Sequence, residues 1–117
     1  MKLNQDCIRD LMLVLEKHPS LERISAIELH KYNDLQPYKL SEVVYVILVL
    51  SDGGFLTTDG LDDINVSVYR MTYSGHELLE AVRKKDVWEV AKAQGKQLGA
   101  VTLPMLIKYA LEQISKS

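Results

Sequence analysis

The residues from which a reactive centre would be built in this 117-residue sequence are three histidines, one cysteine and a scatter of carboxylates. His18, His30 and His76 stand far apart and match no metal-ligand spacing. There is no G-x-S-x-G, no H-E-x-x-H and no phosphate-cradling glycine loop. The run from Asp59 to Asn65 resembles a calcium loop only loosely, because it lacks the alternating donors and closing glutamate of an EF-hand. His76 follows Ser74, a candidate helix cap, and could act as an acid or base. A first-turn histidine packed on a neighbouring hairpin explains it with fewer assumptions. Glu77 and Glu80 read as a cap partner and a solvent-facing residue. Cys7 has no second cysteine to pair with and no activating group nearby, so it reads as a small apolar side chain on a helix. The expectation is therefore a non-enzyme, with no catalytic residue, metal or cofactor and no small-molecule substrate, that works by binding.

The elements that must present a binding surface follow from spacing. Asn4 caps a first helix whose Ile8, Leu11, Met12 and Leu15 fall at i, i+3, i+4 and i+7, ending before Pro19. Leu21–Tyr32 is open between helix and strand; loose alternation of Ser25, Ile27 and Leu29 favours a short strand. Leu40–Phe55 is β-branched and apolar, yet Ser41 as cap, Glu42 in the first turn and Asp52-Gly53-Gly54 as a stop make it a helix. Phe55–Thr58 and Ile64–Met71 form a hairpin around Asp59–Asp63. Ser74 and Glu77 fit a capping box, with Thr72 a rival cap, and Leu78, Leu79 and Val82 mark the buried side of the helix that follows. Asp86 caps another helix through Trp88, Val90 and Ala91 to about Leu98, with Gly99 ending it, and Thr102 caps a last one. The expected fold is α+β and winged-helix-like: N-terminal helix, short strand, central helix and hairpin wing over residues 1–72, then two or three helices over 73–117, all in one domain.

Hydrophobic residues make up 47% of the chain and mean hydropathy is −0.05, which describes a globular protein rather than a disordered one. No signal peptide is visible, and the longest apolar run, Val43–Leu50, is far too short to span a bilayer. A lone cysteine suits a reducing compartment, so a cytoplasmic location is expected.

Several stretches together resemble one family. They are the N-terminal Lys2, Asp6, Arg9 and Asp10, D-G-G-F-L at 52–56, R-M-T-Y-S-G-H-E-L-L-E-A-V-R-K-K-D-V-W at 70–88, and T-L-P-M-L-I-K at 102–108. The chain is similar to small proteins of unknown function common in Gram-positive bacteria and their prophages. The most specific portion is T-x-x-G-H-x-x-L-x-A-[IV]-R-x-x-x-V-W. The resemblance implies a winged-helix-like fold and a phage or mobile-element setting, and it brings no catalytic residues. The family's central helix is more polar, where this chain has Val44-Tyr45-Val46.

Two kinds of macromolecular partner follow from charge. A net charge of −2 and a pI near 5.9 lack the basic footprint usual in nucleic-acid binders. Ser41, Glu42 and Tyr45 on the central helix, with Asp59, Asp62 and Asp63 at the wing, would repel phosphate and suit a protein surface. On the alternative reading, as a DNA-binding regulator, Arg70, Arg83, Lys84 and Lys85 contact phosphate. The last helix holds a stripe through Leu103, Leu106, Ile107, Leu111 and Ile114 that fits either packing on the first helix or a dimer seam. A protein partner or self-association is favoured over nucleic acid.

Overall fold

The computed structural model describes residues 3–19, 22–60, 63–97 and 103–116. The fold is α+β: among the described residues there are six α-helices and one three-stranded antiparallel sheet. The chain divides into two compact units, Met1–His76 and Glu77–Ser117.

The first unit opens with α1 (Gln5–Lys17), whose Asn4 cap accepts the Cys7 amide at 3.0 Å. Its apolar stripe Ile8, Leu11, Met12 and Leu15 is buried, together with Cys7 and Val14. The strand expected from Leu21–Tyr32 is reduced to two residues, β1 (Ile24–Ser25), and α2 (Ala26–His30) follows at once. Ser25 decides this. Its hydroxyl accepts the Glu28 amide at 3.1 Å and donates to the Glu28 carboxylate at 3.2 Å, a reciprocal cap that outweighs the loose alternation. Leu29 is buried and Ile27 exposed, the opposite of what a strand with both on one side requires. A 3-10 turn at Asn33–Leu35 leads on, and the His30 ring holds the loop through Nε2 and the Tyr38 carbonyl, 2.7 Å apart.

Helix α3 (Leu40–Asp52) buries Val43, Val46, Ile47 and Leu50 at i, i+3, i+4 and i+7. Ser41 is not its cap. Lys39 occupies that position, and the Glu42 carboxylate reaches back to the Lys39 amide at 3.3 Å. The helix stops in a Schellman turn. The Phe55 amide donates to the Leu50 carbonyl at 2.8 Å and the Gly54 amide to Ser51 at 3.1 Å, while Gly54 supplies the left-handed φ of 82°.

The hairpin comprises β2 (Leu56–Asp59) and β3 (Ser67–Met71), in the sheet order β1–β3–β2. Its second strand starts three residues later than expected. The Asp63 carboxylate accepts the Asn65 amide at 2.8 Å and its carbonyl accepts the Val66 amide, so Ile64 sits in an exposed turn. Helix α4 (Tyr73–Arg83) takes Thr72 as its cap rather than Ser74: the Thr72 hydroxyl accepts the Gly75 amide at 3.0 Å. Thr72 also receives the end of α3, donating its amide to the Phe55 carbonyl and its hydroxyl to that of Gly54. Gly75 is required at this close approach, since a Cβ there would run into the Phe55 carbonyl oxygen.

In the second unit, Leu78, Leu79, Ala81 and Val82 are buried on α4, and α5 (Lys85–Gln97) packs along α6 (Leu103–Lys116). Asp86 lies inside the first turn of α5 rather than capping it. The Lys84 carbonyl accepts the Trp88 amide at 3.0 Å. Trp88 is fully buried, whereas Val90 faces outward. Leu98, Gly99 and Thr102 lie outside the described residues.

Candidate interaction surface

The side of α3 turned away from its buried stripe carries Ser41, Tyr45, Leu48 and Asp52. Ser41 and Asp52 are exposed, and Tyr45 and Leu48 are half-buried. Glu42 is otherwise engaged. Its carboxylate accepts the Asn4 side-chain amide at 3.1 Å as well as the Lys39 backbone, so it joins the cap of α1 to the first turn of α3. These two bonds, that from Asn4 foremost, hold its carboxyl below the ordinary 4.5. Glu42 therefore leaves the candidate partner-binding set and becomes a joint of the fold.

The end of the hairpin offers less free acid than its sequence promises. One oxygen of Asp59 lies 2.5 Å from the Arg23 guanidinium and the other accepts the Gly60 amide at 2.8 Å. Gly60 turns with a φ of 101°. Arg23 lies over the Tyr69 ring, 5.7 Å from its centroid, so it bridges from beside β1 across the middle strand to the end of β2. Asp63 is exposed but engaged in its own turn, and Asp62 lies outside the described residues. Sequence reasoning passes over Arg23 because nothing local links it to Asp59, 36 positions away. Only the pairing of Ile24 with Val68 brings the two together.

The sheet contains a further arrangement that the sequence conceals. In the β2–β3 ladder Thr57 pairs with Arg70 and Thr58 with Val68, which leaves Tyr69 as the extra residue of a β-bulge. Val68 points inward, whereas Tyr69 and Arg70 are both exposed, a departure from strict alternation that a bulge permits. Met71 turns back towards Gly75.

The cations proposed to meet phosphate are split between the units. Arg70 is in the first; Arg83, Lys84 and Lys85 are exposed at the α4–α5 junction of the second, where Arg83 pairs with Glu80 at 2.9 Å. The first unit holds seven basic and eleven acidic side chains, the second seven and five. Of the candidate seam on α6, Ile107 and Leu111 are half-buried, and the side chains of Leu103, Leu106 and Ile114 lie outside the described residues.

The groups with reactive potential are dispersed. His76 is exposed rather than packed on the hairpin, and the His18 ring meets the Glu22 carbonyl at 2.9 Å. Cys7 is buried, and burial, then Glu42 and Asp10, push its thiol up to about 12. The Tyr38 hydroxyl donates to Asp10 at 2.6 Å; burial and that bond raise it well above its ordinary value of 10. Among the described residues no group of three or more histidine, cysteine or carboxylate side chains is placed to hold a metal ion. No described helix is long and apolar enough to cross a membrane.

The model of the DUF2513 family, described as hypothetical proteins, matches residues 2–102, most of the chain, and the protein belongs to that family. No curated protein and no solved structure matches it.

Proposed function

We propose that this member of the DUF2513 family is a non-catalytic winged-helix module of phage or mobile-element type. It acts by binding a macromolecule, and its partner is a protein rather than DNA. The winged-helix reading is supported by the order helix, strand, helix, helix, strand, strand and by the sheet order β1–β3–β2, with the β2–β3 hairpin as the wing. In that architecture α3 is the helix that would enter a groove. The observation that carries the choice of partner is the outward side of α3. It presents Ser41, Tyr45, Leu48 and Asp52, with no cation to meet base edges or phosphate, in a unit whose acids outnumber its bases.

The second reading, a DNA-binding transcriptional regulator, draws on the exposed Arg70, Arg83, Lys84 and Lys85. A salt titration with random duplex DNA separates the two. Weak binding at low salt with a shallow slope is expected; tight binding that collapses as salt rises would transfer the case to the regulator. Self-association is a variant of the protein-partner reading, favoured by half-buried Ile107 and Leu111 on α6. Light scattering then reads twice 13.3 kDa, and a monomer at high concentration removes it.

A further inference from the structure

Among the described residues, three of the six large hydrophobic side chains found exposed fall within ten residues of one another: Ile64, Tyr69 and Tyr73, the last 83% exposed. They flank or belong to β3, the middle strand of the sheet. The bulge at Tyr69 turns that ring and Arg70 to the same outer side, and Arg23 stacks on the ring from the β1 side. Two of the three arginines in a unit whose acids outnumber its bases thus lie at one tyrosine, Arg23 over its ring and Arg70 next to it in the strand. Tyrosine and arginine are the residues most enriched in energetically dominant protein contacts, where a rigid ring supplies area and a guanidinium grips a carboxylate in two bonds.

From this placement we infer that the outer side of the sheet, centred on Arg23, Tyr69 and Arg70, is the docking surface for an acidic segment of a partner protein. Carboxylates of the segment meet the two guanidinium groups and an apolar side chain lies against Tyr69. The inference rests on the protein-partner reading and relocates its surface from α3 and the wing tip to the sheet. Two cations, one of them already beside Asp59, match a short peptide with one or two acids; a duplex, with charge along its whole length, would also meet the aspartates of the hairpin. Asp59 has a second role here. It occupies Arg23 in the free protein, and an incoming carboxylate must displace it from an exposed ion pair of small net strength.

The test is binding of the full chain to an array of short random peptides, with random duplex DNA at low salt in parallel and backbone amide shifts recorded for the hits. Enrichment of peptides carrying Asp or Glu beside an aliphatic or aromatic residue is expected, with shifts at Tyr69 and Arg70. Tyr69→Ala and Arg70→Gln should each weaken the hits about tenfold. Asp59→Asn should tighten them about threefold by releasing Arg23, beyond the change from Asp63→Asn, which removes the same charge four positions on without freeing an arginine. Circular dichroism of each variant excludes loss of fold as the cause. Peptide hits that shift α3 residues and ignore Tyr69→Ala would overturn this surface alone. Basic peptides bound as well as acidic ones, or no hits, would also overturn it. Duplex DNA taking the same amides more tightly would remove both this surface and the protein-partner reading.

Discussion

The unit ending at His76 and the helical unit that begins at Glu77 are held together differently. In the first, polar side chains tie elements distant in sequence: Asn4 to Glu42, Asp10 to Tyr38, Arg23 to Asp59, and Thr72 to the end of α3. In the second, among the described residues, the ion pairs Glu80–Arg83 and Glu89–Lys92 each join residues three apart, and burial falls on leucines, alanines, Val82 and one large ring, Trp88. Short elements cannot bury enough apolar area to fix their own geometry, so β1, α2 and the hairpin need directional bonds. Helices of eleven to fourteen residues with wide apolar stripes can be positioned by packing. The first unit should therefore respond to the loss of single polar groups and close approaches, the second to the loss of volume.

The largest effect is expected in the second unit. Trp88→Ala removes a wholly buried ring and should cost about 3–5 kcal/mol, measured by urea unfolding. A loss under about 1 kcal/mol would mean that packing does not dominate there. Next comes Gly75→Ala, where the first turn of α4 lies against the Phe55 backbone. Its Cβ would overlap the Phe55 carbonyl oxygen, a backbone atom with little room to give, so the helix must shift, at about 1–3 kcal/mol. Thr72→Ala should cost about 1 kcal/mol or somewhat more, and Ser74→Ala no more than about 0.5 kcal/mol, which locates the cap by stability alone. Equal losses would return Ser74 to that role.

The smallest effect is a pH dependence at Glu42. Its carboxyl titrates lower in the folded protein than its ordinary 4.5, so the stabilisation it brings is fully present above that value and is lost as pH falls through the lowered folded value. The stability difference between the wild type and Glu42→Gln should shrink as the pH is taken from about 6 to about 3. A difference constant across that range would mean that the Asn4 and Lys39 bonds do not favour the charged form.

Features encoded within one element are legible in the sequence. The stripe of α1 and its Asn4 cap, the glycine stop of α3 and the buried Leu78, Leu79 and Val82 of α4 rest on spacings within a turn or two of one helix. The β-branched run Val43–Leu50 shows that punctuation at both ends can overrule strand propensity. Local signals mislead where two of them compete, at Ser25 and at Thr72 against Ser74, and the winner is the residue with a tertiary partner or a complete reciprocal cap. The candidate binding surface is the least legible part. Glu42 and Asp59 look available in the sequence and are both engaged in the fold, while Arg23 and Tyr69 carry no signal at all.

The sequence alone determined where most helices lie and which of their sides are buried, because both follow from side chains three and four positions apart. Which charges remain available to a partner was decided only by the tertiary structure. The pairing of β1 with β3 brings Arg23 over Tyr69 to Asp59, and a bulge sends Tyr69 and Arg70 outward together. Strand pairing and ladder register join residues dozens of positions apart, and no spacing within a single element encodes them.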